Sequence, residues 1–120
     1  MAQHNETGKE GEEMAAAFLR KIGYEIVETN WRFKKSEIDI IVRKEDFLVF
    51  VEVKTRETSF FQDPEKAVTI AKQKMIIKGA NEYVQNLDKK DDPEVRFDII
   101  AITLRPLEIN HIEDAFYPLV

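Results

Sequence analysis

The chain's chemistry is concentrated where apolar strands turn charged. In the segment 47–55, FLVFVEVKT, alternate residues share a face. Phe47, Val49, Val51 and Val53 form one side and Leu48, Phe50, Glu52 and Lys54 the other. Both sides begin apolar, which predicts a central strand covered on both faces. One side then changes from Leu and Phe to Glu and Lys at its C-terminal end. Charges on a covered face are costly unless they are paired or bind a metal. The plain alternative is a strand end emerging into solvent.

The segment 37–43, EIDIIVR, repeats the pattern, with Glu37, Asp39 and Ile41 on one side and Ile38, Ile40 and Val42 on the other. A half-exposed strand with its polar side outward also accounts for it. Folding about the polar turn Lys44-Glu45-Asp46 brings Asp39 level with Glu52. Two adjacent carboxylates need a cation between them. A third acid, Glu12, prolongs the helical stripe of Ala15, Ala16 and Leu19; as a first-turn glutamate it also suits the helix dipole. Gln73 prolongs the stripe Ile76, Ile77, Ala80 and Val84, where a boundary glutamine is the simpler explanation.

Together these residues suit phosphodiester hydrolysis. Asp39 and Glu52 hold Mg²⁺, which polarises a phosphoryl oxygen and acidifies a bound water. Lys54 sets a positive charge beside the attacking water or the developing phosphorane. Glu12 completes the metal sphere or positions the water.

The elements that must position them follow from periodicity. Ala15, Phe18, Leu19 and Ile22 recur at helical spacing, with Gly8 and Gly11 at the start and Gly23 as the stop. Strands are expected over 24–33, 37–43 and 47–55, forming an antiparallel meander. A polar loop covers 56–63. A long helix then runs from Pro64, in its first turn, to about Leu87, burying Val68, Ala71, Met75, Ile76, Ala80, Tyr83, Val84 and Leu87. A fourth strand spans 95–104, Pro106 breaks it, and 108–112 forms a short fifth. The order α-β-β-β-α-β makes a mixed α/β sheet flanked by helices, one domain over 1–120.

Composition bounds the chemistry further. Apolar residues are 43 % and charged residues 34 % of 120, enough for one core. The absence of cysteine excludes disulfides and thiolate chemistry, and His4 and His111 are too far apart in sequence to suggest a zinc site. Any metal is therefore held by oxygen, as Mg²⁺ or Mn²⁺. The polar N-terminus has no signal-like apolar run, and no segment has the length of a membrane span, so a cytoplasmic protein with no membrane partner is expected. The net charge of −5 argues against nucleic acid as a partner, but its distribution softens this: residues 14–80 carry +3, against −3 before them and −5 after them.

The arrangement Asp39-x12-Glu52-x-Lys54 behind a Glu-bearing helix resembles the PD-(D/E)xK nuclease superfamily. More closely, the chain resembles the bacterial YraN family, proteins similar to archaeal Holliday-junction resolvases. The resemblance covers nearly the whole chain. It rests on Gly8, Gly11, Glu12 and Ala15, then Asn30-Trp31-Arg32, Glu37-Ile38-Asp39-Ile40 and the run Val49 to Arg56. Ala67-Val68, Lys72-Gln73 and Arg96-Phe97-Asp98 complete it. Ser36 stands where that family usually has glycine. The resemblance implies a restriction-endonuclease-like core with Asp39, Glu52 and Lys54 as catalytic residues and Glu12 in support. It suggests Arg32, Arg56, Lys72 and Gln73 as phosphate contacts. The expected function is a metal-dependent endonuclease acting on nucleic acid, with branched or otherwise structured DNA as a candidate substrate. A non-catalytic nucleic-acid-binding module with the same fold is the alternative. A protein–protein adaptor using the acidic C-terminal third is a third account. A two-fold homodimer suits paired cuts in a duplex.

Overall fold

A computed structural model of the chain describes residues 6–58 and 68–118. Helix α1 spans Glu6–Lys21. Strands β1 (Glu25–Phe33), β2 (Ser36–Lys44) and β3 (Phe47–Thr58) follow it. Helix α2 spans Ile70–Gln85, and strands β4 (Glu94–Arg105) and β5 (Leu107–Phe116) complete the sheet. Gly8 and Gly11 thus lie inside α1 rather than flanking its start. The expected mixed α/β architecture holds, with β5 twice the anticipated length.

The strands lie in the order β1-β2-β3-β4-β5. The first three form the expected antiparallel meander. The β3–β4 pair is parallel, bridged by the crossover that contains α2, and β5 returns antiparallel to β4. The two apolar sides of β3 are covered as the alternation requires. Val49, Val51 and Val53 pack with Ala15, Ala16 and Leu19 of α1. Leu48 and Phe50 pack with Ile76 and Ala80 of α2, together with Phe97 and Ile99. Phe50 is fully buried; its truncation to Ala costs about 3–5 kcal/mol.

Local signals fix the ends of the helices. Gly23 has φ +102°, and the amides of Gly23 and Tyr24 donate to the carbonyls of Arg20 and Leu19 at 3.1 and 2.9 Å. This is a Schellman stop, so Gly23 ends α1 as its type suggests. The start of α2 differs from expectation. Thr69 is the N-cap, its hydroxyl accepting from the Lys72 amide at 3.1 Å. Pro64 lies outside the described residues, as does the 59–63 part of the expected loop; residues 56–58 extend β3 instead. Val68 is buried but precedes the helix, and Ala71 is exposed. The helix ends at Gln85, so Leu87 packs from the following turn.

Two close contacts dock the helices on the sheet. A Cβ at Gly11 would lie 1.8 Å from Thr55 Oγ1, so only glycine lets α1 approach the end of β3. A Cβ at Gly79 would lie 2.9 Å from Ser36 Cβ. Ser36 is buried, and its hydroxyl donates to the Met75 carbonyl of α2 at 2.8 Å. Ser36 thus ties β2 to α2.

On the α1 side, fully buried Asp98 organises a polar cluster. Arg96 donates to it twice, at 2.9 and 2.8 Å, His111 Nε2 lies 2.8 Å away, and the Asp114 amide donates at 3.0 Å. Arg96 also donates to the Tyr24 hydroxyl. The cluster joins β4, β5 and the α1–β1 corner. Among the described residues no helix is long and apolar enough to cross a membrane.

Candidate active site

The site lies at a fork in the sheet. The β2–β3 ladder runs from Lys44 opposite Phe47 to Ile40 opposite Val51 and goes no further. Beyond it β2 stays with β1, and β3 stays paired to β4 as far as Thr58. Asp39 stands at the point of separation. Its Oδ2 accepts the Val53 amide at 2.8 Å, replacing a backbone acceptor that the ladder no longer supplies. One expectation fails here for that reason. Ile38 does not share a side with Ile40 and Val42; it packs beneath α2, because strict alternation is lost where β2 leaves its partner.

Asp39 and Glu52 meet across this fork, within hydrogen-bonding reach of each other. Glu52 is 4 % exposed. Burial pushes its carboxyl up to about 8, the Asp39 charge adds to the rise, and Lys72 and Lys54 oppose it. Asp39 is also raised, chiefly by loss of water, against the lowering effects of the Val53 amide and Lys72. Each carboxyl of the pair thus holds its proton more tightly than it would in water. Lys72 of α2 faces the pair, its Nζ 3.4 Å from Glu52 Oε2.

A cleft of about 330 Å³ opens over the pair, lined by Glu12, Glu37, Asp39, Glu52, Lys54, Thr55 and Lys72 among others. The Gly11–Thr55 contact brings the start of α1 to its rim. Glu12 is pushed up to about 7, first by burial, then by the charges of Asp39 and Glu37. An Asn30 side-chain hydrogen bond partly offsets this. Asn30 is the site residue that sequence reasoning passed over, although it opens the run Asn30-Trp31-Arg32. Its φ of +51°, an asparagine-tolerant backbone state inside a strand, is the structural sign of its special position.

Of the other residues singled out, Lys54 and Lys72 line the cleft. Arg32 sits on the outer strand β1, 68 % exposed, with its guanidinium 3.5 Å from Glu37. Arg56 lies two residues beyond Lys54 on β3, half-buried. Gln73 does not line the cleft. Its amide donates to the Val68 carbonyl at 3.1 Å, and it borders a separate groove with Ile70 and Ile77.

Asp39 and Glu52 fit a hard divalent cation: both offer carboxylate oxygens, side by side, on a site with four carboxylates and two lysines. Among the described residues, no three acidic or histidine side chains converge as a ready-made cage. The pair is the core of the site, with Glu12 across the cleft on Asn30.

Comparison with known proteins supplies the lineage. The profile of the uncharacterised protein family UPF0102 matches residues 11–102, which include every cleft residue discussed above. A UPF0102 protein of Flavobacterium psychrophilum is 51 % identical over 119 residues, 98 % of each chain. One from Flavobacterium johnsoniae is 46 % identical over 121 residues, and one from Bacteroides thetaiotaomicron 47 % over 120, again at 98 % coverage of both chains. The chain therefore belongs to the UPF0102 family, the YraN-like proteins its motifs resemble.

Proposed function

We propose that this protein is a divalent-metal-dependent endonuclease of the restriction-endonuclease-like superfamily, hydrolysing phosphodiester bonds in DNA. The observation that carries the proposal is the meeting of Asp39 and Glu52 at the sheet fork, with Lys54 and Lys72 on the same cleft. Asp39 and Glu52 would hold Mg²⁺ or Mn²⁺, which supplies Lewis-acid polarisation of a phosphoryl oxygen and an acidified water. Lys54 follows Glu52 by two residues on the same strand side and places its ammonium where phosphorane charge develops. Glu12, raised to about 7, is matched to accept a proton from the attacking water at neutral pH. Arg32, Arg56 and Lys72 are the candidates for phosphate contact. Gln73, turned to Val68, supports the α2 terminus instead.

The resemblance to junction resolvases makes branched or structured DNA the substrate class to test first. A binding module without cleavage is the competing account, favoured by the net charge of −5. Incubation of linear, nicked, flapped and four-way DNA with Mg²⁺ or Mn²⁺, beside Glu52→Gln, separates the two. The proposal expects metal-dependent strand breaks in at least one substrate with the wild type and none with the variant. Binding without breaks in any of them supports the module.

A further inference from the structure

Lys72 stands in an electrostatically awkward place. It lies in the first turn of α2, which carries no acidic residue there, at the helix end that favours negative charge. What offsets this is Glu52, whose Oε2 is 3.4 Å from Lys72 Nζ. The two partners differ in freedom. Glu52 is fixed on β3 and 4 % exposed at its side chain; Lys72 is 46 % exposed. The Lys72 backbone is pinned by its amide bond to the Thr69 hydroxyl. Any movement of the ammonium is thus a rotation of a flexible stem. Lys54, by contrast, leaves the strand directly beside Glu52 and belongs to the cleft wall.

We infer that Lys72 is the resident cation of this site: its ammonium balances the Asp39–Glu52 pair, and a divalent cation must displace it to bind. The inference rests on the metal reading proposed above and deepens it. Lys72 faces the Glu52 carboxylate that would help hold the metal, and two cations held at one carboxylate repel each other. A displaced ammonium would stay on the 46 % exposed Lys72 stem at the cleft, available to an anionic phosphodiester. Metal entry and phosphate recognition are thereby coupled through one side chain, and the site resists loading until a divalent cation outcompetes the lysine.

The test is calorimetric titration with MnCl₂ of the wild type, Lys72→Met and Lys74→Met. Lys74→Met makes the same charge change two residues along α2, at a residue bordering the separate groove. Lys72→Met is expected to bind Mn²⁺ about fivefold more tightly than the wild type, the scale of one partly exposed ion pair. Lys74→Met is expected to match the wild type. A second measurement needs no variant: acetylation of Lys72 in the wild type, followed by mass spectrometry, should rise relative to Lys74 when Mn²⁺ is added. If Lys72→Met binds Mn²⁺ no more tightly than the wild type, and Lys72 labelling does not respond to the ion, the resident-cation role is overturned while the metal site stands. If neither protein binds Mn²⁺, the metal site falls and this inference with it.

Discussion

The chemistry of the cleft turns on a few protonation states. Glu52 is raised to about 8 and Glu12 to about 7, above an ordinary glutamate value of 4.5. For a group raised in the folded state, the stabilising contribution is complete below pH 4.5. It is then lost as the pH climbs toward 7 and 8. Glu52→Gln mimics the protonated form and removes its part of that slope. Its melting temperature, measured without metal, should equal the wild type's near pH 4 and exceed it above pH 8. The reverse order would contradict the burial argument. The same proton must leave when a cation binds, so Mn²⁺ uptake at pH 7 should release about one proton and weaken as the pH falls. Titration in buffers of different ionisation enthalpy reads that number directly. Glu52, Lys54 and Asp39 were legible because charge on an apolar strand side is conspicuous. The bond from Val53 to Asp39 was not, because it depends on where a ladder stops. The turning of Gln73 toward Val68 was equally hidden, since a helical stripe says nothing of what a side-chain amide finds one turn back.

At the level of elements, the site exists because two helices can approach the sheet closely at two points. Gly11→Ala sets a Cβ 1.8 Å from Thr55 Oγ1 and must push the start of α1 away from β3. Overpacking of this kind costs about 1–3 kcal/mol, and denaturant unfolding is expected to show a loss of that size. Glu12 moves with the helix, so Gly11→Ala should also lower activity more than its stability loss explains. Thr55→Ala in the Gly11→Ala background should recover part of both, since it removes the obstructing hydroxyl and methyl. The hairpins and the end of α1 were legible in the sequence, from alternation, polar turns and Gly23. The start of α2 was not: Pro64 offered a plausible first turn, but the Thr69 hydroxyl caps the helix one residue before Ile70. The length of β5 was hidden by its polar residues, which suit an edge strand whose ladder continues to Phe116.

Across the whole molecule, two acid clusters on neighbouring strands are built on opposite terms. The cleft gathers carboxylates that oppose one another, whereas the Asp98 cluster pairs a buried acid fully. Burial alone would raise Asp98, but the bonds from His111, Arg96 and the Asp114 amide hold it below the ordinary value of 3.8. A depressed acid stabilises the fold above its unfolded value, and that support is lost as the pH falls below 3.8. Asp98→Ala leaves Arg96 partly buried without its main partner and should cost about 3–5 kcal/mol in thermal or denaturant unfolding. A loss of under about 1 kcal/mol would show that the cluster contributes little. This cluster was visible in the sequence only as the run Arg96-Phe97-Asp98, because its members come from three separate segments. The family profile matches 11–102 and so includes Asp39, Glu52 and Asp98.

The central claim is that Asp39, Glu52 and Lys54 form a metal-dependent hydrolytic site. Single-turnover cleavage of four-way DNA with Mn²⁺, run beside DNA-affinity measurement, tests it in wild type and Lys54→Ala. Lys54 is assigned to charge that develops in the transition state. In Lys54→Ala, DNA affinity is therefore expected to change little and the cleavage rate to fall by about 10²–10³. A wild type that cleaves no DNA structure with any divalent metal, and a Lys54→Ala variant that only binds more weakly, would contradict it.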